Sequence, residues 1–339
     1  MERKKSFQTL IGNIALMLLG SLLLGYLLIV SITTGAGDIS YRQVLTALFF
    51  YDSELESHNI IQELRVPRAL AGTLIGASLA VAGCIMQGMT RNALASPSIM
   101  GITDGAAFGI AFSMAFLPPL DSISLMVAAF IGAGIGAFLV FGVASLSRGG
   151  VSPVKLALAG VAVGAMLSAF SSGIAIHFNI AQEVNFWYAG HLSGIRWHDV
   201  TLFLPLSTAG ILVAIILSRS VTLLSLGNEV AVGLGQRTLF IKITCTIIVL
   251  ILTGAAVATA GSIGFIGLVI PHIARLIVGQ DYRYIIPVSA VLGASLLTVS
   301  DIGARLVNPP FETPVGAITA LIGVPFFLFL ARREGRGLD

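Results

Sequence analysis

Five histidines, two cysteines and a sparse set of carboxylates are the residues with which this sequence could do covalent or metal chemistry. His58, His177, His191, His198 and His272 show no HxxxH or HxxE spacing, and neither Cys84 nor Cys245 lies near a histidine. Structural and catalytic metal sites draw their ligands from such clusters, so no metal site is expected. Both cysteines sit in apolar stretches, where a thiol behaves as a small hydrophobe. A phosphate-cradling Gly-x-x-x-x-Gly-Lys loop is excluded, because the dipeptide Gly-Lys does not occur. Nothing selects a Ser-His-Asp set, which is assembled in space, and no catalytic residue is assigned. Asp104 falls clearly inside an apolar run, with Asp301 and His177 near the ends of others. An ionisable group in lipid is expensive and marks either a pathway or a structural bond. Asp104 is open to both readings: it could cap a broken helix or line a passage. A proton- or ion-coupled carrier usually has more such groups. The chemistry that remains is noncovalent, in a passage without its own engine.

Composition sets the elements that must hold these residues. Of 339 residues, 56% are hydrophobic and 10% charged, against about 25% charged in soluble domains. A membrane-crossing helix takes about 20 apolar residues. Apolar runs bounded by Gly, Pro and charge fall at 10–32, 67–89, 99–117, 123–146, 156–176, 202–217, 241–260, 265–278, 285–299 and 315–330. The connections left are too short for an aqueous domain. One all-α polytopic membrane domain of about ten spans is therefore expected, with tails at 1–9 and 331–339. The charged start Glu2-Arg3-Lys4-Lys5 looks like that of a signal peptide, but the apolar run after it is too long for one, and an uncleaved first helix is expected. Ten spans put both termini on one side. Only Arg42, Arg65, Arg68, Arg196 and Arg305 of the 19 Lys and Arg fall on the other, so the positive-inside rule makes both termini cytoplasmic. The pairs Gly72/Gly76, Gly105/Gly109, Gly132/Gly136 and Gly160/Gly164 predict closely packed helices. Segment 182–194, with Phe186, Trp187 and Tyr188, is too short to cross and predicts an outer interfacial helix; segment 226–240 predicts a structured cytoplasmic connection.

Three segments go beyond composition. The first holds Arg65-Val66-Pro67-Arg68 and then Met86-Gln87-Gly88-Met89-Thr90-Arg91-Asn92-Ala93-Leu94-Ala95-Ser96-Pro97. The second is Gly261-Ser262-Ile263-Gly264-Phe265-Ile266-Gly267-Leu268-Val269-Ile270-Pro271-His272. The third is Asp301-Ile302-Gly303-Ala304-Arg305, followed by Pro314-Val315-Gly316. In this order they closely resemble the FecCD-type permease family of ATP-binding-cassette (ABC) importers for iron–siderophore complexes, haem and cobalamin. The likeness runs from about residue 10 to 333.

The resemblance implies a cobalamin-permease-like (type II) ABC importer fold in the bacterial cytoplasmic membrane. It implies as partners a second permease subunit (homodimer or heterodimer), two cytoplasmic ABC ATPase subunits and an extracytoplasmic substrate-binding protein, with no nucleic acid. The chain itself would be non-catalytic and carry no cofactor, since ATP and Mg belong to the ATPase. By motif position, Arg65 and Arg305 would meet glutamates of the binding protein. An additional outer Arg of some members is replaced here by Glu56. Arg68 is read as structural. Gly227, Asn228, Glu229, Ala231, Gly233 and Gly235 match the ATPase-coupling segment, although Val230 replaces one Ala and a later Ile-x-Leu-Pro is missing. Asn92 and Leu94, with Pro153 and Val154 in the region 152–155, match the cytoplasmic gate; some relatives have hydroxyl residues at the latter pair. His272 is read as mainly structural. The implied cargo is a ferric siderophore moved by alternating access, with cobalamin or haem as the alternative and an ion- or proton-coupled carrier as the rival class.

Overall fold

The computed structural model describes residues 2–35, 39–117, 120–146, 153–309 and 311–335. All regular structure among the described residues is helical. In chain order the helices are α1 (Glu2–Thr33), α2 (Tyr41–Phe49), α3 (Glu56–Ile60), α4 (Val66–Thr90), α5 (Ile102–Phe116), α6 (Ser122–Leu146), α7 (Pro153–His177), α8 (Ala181–Tyr188), α9 (Trp197–Leu226), α10 (Asn228–Gly233), α11 (Thr238–Ala260), α12 (Ile266–Val278), α13 (Tyr282–Leu306) and α14 (Val315–Gly335). Each of the ten apolar runs is matched by one of α1, α4–α7, α9 and α11–α14. Seven spans are long and apolar enough to cross a membrane, and α5, α12 and α14 supply three shorter apolar helices. The expected tail 1–9 is a continuation of α1 from Glu2, and 336–339 lie outside the described residues.

Helix α4 is the hub. Its apolar window is 83% buried, and Val81, Ile85, Val249, Leu252, Ile285 and Ile286 form a fully enclosed core around it with α11 and α13. Apolar side chains gain little from leaving lipid for a neighbouring helix, so association relies on close contact. A Cβ on Gly105 would lie 2.3 Å from the Gly132 carbonyl oxygen, and one on Gly132 would lie 2.2 Å from that of Gly105. Two of the predicted GxxxG faces therefore seat α5 directly on α6.

Two crossings are broken. Helices α5 and α12 have 15 and 13 residues, each about 20 Å long at 1.5 Å per residue, short of the roughly 30 Å hydrocarbon core. A 3-10 turn at Pro97–Met100 precedes α5, and Gly101 bridges the two at φ +68°. Non-helical residues 261–265 precede α12, ending in Phe265 at φ +68°. Non-helical backbone is tolerated at this depth only when enclosed by protein. Three neighbours enclose it here: a Cβ on Gly101 would lie 2.9 Å from Val140 Cγ2 of α6, one on Gly261 2.2 Å from the Trp187 carbonyl oxygen of α8, and one on Gly267, in the first turn of α12, 2.8 Å from the Leu79 carbonyl oxygen of α4.

The bundle has two ends. One gathers the C-termini of α1, α11 and α13, the N-termini of α4, α9 and α14, and α8, the short helix predicted within 182–194. The other gathers the C-termini of α4, α6 and α9, the N-termini of α7 and α11, and α10.

Candidate functional site

At the α1 C-terminal end, two arginines converge on one helix terminus. The last carbonyls of a helix have no partner within it, and cations are favoured beside them. Arg65 Nη1 donates to the carbonyls of Ile32 (2.9 Å) and Thr33 (2.7 Å). Arg305 Nη1 donates to those of Ser31 (2.8 Å) and Thr34 (2.6 Å), and its Nη2 to Ser31 Oγ (2.7 Å). The Thr33 and Thr34 hydroxyls both donate to the Val30 carbonyl at 2.8 Å. The end of α1 is thereby closed by side chains of α13 and of the turn before α4.

A carboxylate holds the second layer. Asp301 is 2% exposed; its Oδ2 accepts from Arg305 at 2.6 Å and its Oδ1 from Arg68 at 2.8 Å. Arg68 also donates to Glu312 Oε1 at 2.6 Å. Three guanidiniums against two carboxylates leave a positive surplus beside a cavity of about 340 Å³, bounded by Arg65, Arg68, Arg305, Phe311 and Glu312.

Arg65 reaches this position through a π turn, Ile61–Arg65, between α3 and α4. Such turns recur at functional positions. Trp197 Nε1 donates to the Gln62 carbonyl within that turn at 2.7 Å, and Gln62 Nε2 donates to the Ala47 carbonyl at 2.8 Å. The two arginines singled out by motif thus lie together, Arg65 buried and the Arg305 side chain only 7% exposed, and they are spent largely on α1. Arg68 is the cross-link between α4, α13 and the Glu312 segment. The bonds to α1, the Asp301–Glu312 pair and the π turn carry no local sequence signal.

At the opposite end, α10 projects between α9 and α11. Gly227 (φ +130°) and Gly235 (φ +80°) bracket it, both in backbone that favours glycine. Ala231 is fully buried at its root. Gln236 ties it back by donating from its amide to the Ala231 carbonyl (2.9 Å) and from Nε2 to the Ser220 carbonyl (3.1 Å). Asn228 Oδ1 accepts from Lys242 Nζ at 3.1 Å. Glu229 and Gly233 are exposed, as are Val230, Val232 and Leu234. The result is a short rigid knob with a carboxylate and an apolar surface, suited to a complementary groove.

Of the four gate positions, Asn92 is exposed and Leu94 half-buried. The Asn92 side chain accepts from the Leu94 amide at 2.9 Å, forming a turn after the left-handed cap Arg91 (φ 53°). Pro153 and Val154 open α7, and Ser152 lies outside the described residues. Asp104 falls in the first turn of α5, where a carboxylate favours the helix dipole. Its Oδ2 lies 2.6 Å from the Cβ position of Gly164 on α7, so one GxxxG glycine makes room for it. His272 meets Phe326 edge-on at 5.9 Å. Gln87 on α4, which the motif placed without a role, accepts from Arg275 and donates to the Leu268 carbonyl (3.1 Å), joining α4 to α12.

Broken crossings, enclosed irregular backbone and a helical knob at one end define a polytopic membrane transport protein. A family model described as the FecCD transport family matches residues 22–333. The chain is 55% identical over 329 residues to the iron(3+)-hydroxamate import system permease protein FhuB of Bacillus subtilis, covering 97% of this chain and 84% of that one. It is 47% identical over 308 residues to the iron-uptake system permease protein FeuB of the same organism, covering 91% and 92%. A solved metal-chelate type ABC transporter in an inward-facing conformation superposes with a TM-score of 0.82 at 27% identity, covering 94% of this chain and 98% of that chain. This protein belongs to the FecCD transport family.

Proposed function

We propose that this chain is the membrane permease subunit of an ABC importer for a ferric siderophore, with a hydroxamate type favoured. The observation that carries the reading is the 55% identity over 97% of the chain to a permease named for iron(3+)-hydroxamate import. Cobalamin and haem stay as alternatives within the same architecture. The chain would pair with a second permease, with both termini on the cytoplasmic side beside α10. Two ATPase subunits would grip α10, and a binding protein would dock beside Arg65 and Arg305. Docking at one end and ATP binding at the other would bias a two-state bundle. Iron would arrive wrapped in its chelator, so metal ligands on this chain are not required.

The role of the two arginines gains a physical condition from their geometry. Glutamates arriving at this cavity would meet guanidiniums already bonded to α1, so docking would compete with the α1 cap rather than fill empty donors. Fork-shaped donors can serve a carbonyl and a carboxylate at once, and charge attraction at such a rim acts mainly on association rate.

The test is uptake into vesicles holding the complete assembly, with a ferric hydroxamate loaded on the binding protein. Accumulation should require ATP and survive an uncoupler. Accumulation without ATP that collapses with the uncoupler would overturn the importer reading in favour of a coupled carrier. Transport of cobalamin or haem in place of the ferric hydroxamate would move the assignment within the family.

A further inference from the structure

A cleft of about 600 Å³ opens at the α10 end, between the ends of α4 and α9 and the flanks of α6, α7 and α11. That size lies within the roughly 300–1,000 Å³ of ligand pockets. One wall is a face of α11 formed by Leu239, Ile243 and Ile247, spaced by one helical turn each; Met89, Phe141 and Leu156 face the same cleft. All three wall residues of α11 are exposed. They lie along a membrane-crossing helix, and the wall runs about 12 Å into the bilayer at 1.5 Å per residue.

Two cations line the same cleft where helices end. Arg91 is the exposed cap of α4, and Lys242 lies one turn into α11. Among the described residues Lys242 bonds only a neutral acceptor, Asn228 Oδ1, and no carboxylate pairs with either cation. Water-facing phosphate would leave the apolar wall uncovered, whereas a neutral acyl chain would leave both cations uncompensated. An anionic amphiphile satisfies both.

We propose that this cleft binds one anionic phospholipid of the adjoining leaflet, its phosphate between Arg91 and Lys242 and an acyl chain along α11. Basic pockets between membrane helices hold anionic headgroups in this way. The site also bears on α10. Arg91 Nη1 lies 3.7 Å from the Cβ position of Gly227, and Lys242 bonds Asn228, the first residue of α10. A bound headgroup therefore fixes the two cations that flank the root of the knob.

Native mass spectrometry of the complete assembly, equilibrated with equal amounts of phosphatidylglycerol and phosphatidylcholine of matched chains, tests this. The wild type should retain phosphatidylglycerol preferentially by about tenfold or more, the scale expected of two headgroup-facing cations. Arg91→Gln with Lys242→Gln should remove that preference, and Ile243→Trp, which fills the wall, should reduce retention of both lipids at this site. Equal retention of the two lipids by the wild type, or an undiminished preference in the double variant, would overturn the proposal. So would displacement by inorganic phosphate, which would mark a soluble-anion site. Retention that begins only after the ATPase subunits are stripped would also overturn it, since the cleft would then belong to a protein interface.

Discussion

Arg305 carries more bonds than its motif position suggests, because three acceptors at the end of α1 and two of Asp301, its carbonyl and its carboxylate, share one guanidinium. Leaving a buried polar group without its partner costs about 1–3 kcal/mol. Arg305→Ala is expected to lower the unfolding free energy of the assembly by at least that amount, read as a drop in thermal midpoint. Arg305→Lys should fall between the two, since an ammonium keeps the charge but not the fork. A midpoint unchanged in both would remove the α1-capping role. Glu229 gives the opposite case. It is exposed and makes no structural bond among those described, and surface substitutions of this kind stay within about 0.5 kcal/mol. Glu229→Ala should therefore leave the midpoint alone while weakening stimulation of ATP hydrolysis by loaded binding protein; normal stimulation would take Glu229 out of the coupling role. At this scale the motif Arg65-Val66-Pro67-Arg68 was legible, but its bonds were not. The partners of Arg65 lie 33 and 32 residues away, and those of Arg68 lie 233 and 244 away, separations over which no local pattern runs.

Helices and turns yield their own tests. Gly233 and Gly235 both lie in the predicted coupling segment, yet only Gly235 has a left-handed backbone, and a Cβ would meet nothing within 4 Å at either position. An L side chain in that conformation costs about 1–2 kcal/mol. Gly235→Ala should thus lower the midpoint and Gly233→Ala should not; equal effects would show that α10 is not held by its backbone geometry. On the α5–α6 face, Gly132→Ala places a methyl group 2.2 Å from the Gly105 carbonyl oxygen, while Gly134→Ala meets nothing within 4 Å. Overpacking costs about 1–3 kcal/mol, so the first should reduce thermal stability and the second serve as its control. The existence of the ten long helices was legible, because apolar runs long enough for lipid leave little else; the short helices α2 and α3 were not, since neither contains such a run. Helix ends were less so: α9 runs from Trp197 to Leu226, well beyond the apolar run 202–217, since the polar triplet Ser218-Arg219-Ser220 interrupts the hydropathy without ending the helix, which continues through buried Val221 and Leu224.

For the whole molecule, the central expectation is that work comes from partners. Reconstituted by itself, the chain should neither hydrolyse ATP nor accumulate a ferric chelate against its gradient, as measured by phosphate release and by radiolabelled iron uptake. Accumulation by the isolated chain would reverse that expectation. Docking can be separated from folding by charge exchange: uptake lost with Arg65→Glu should return when the partnering glutamate of the binding protein becomes arginine, a rescue that a purely structural arginine would not allow.

The sequence by itself determined the solvent and the ledger of crossings, because hydropathy is a local property summed along the chain and lipid tolerates few exceptions to it. It also determined the family, through three segments that keep their order. Tertiary structure alone decided that α5 and α12 are shortened crossings, packed on α6 and α4 respectively, and that the arginines expected to greet a partner already hold the end of α1. It also decided that Arg91 and Lys242, 151 positions apart in the numbering, line one cleft. Each of these depends on which distant atoms can satisfy a charge or a carbonyl away from water, and that is fixed only once the helices have packed.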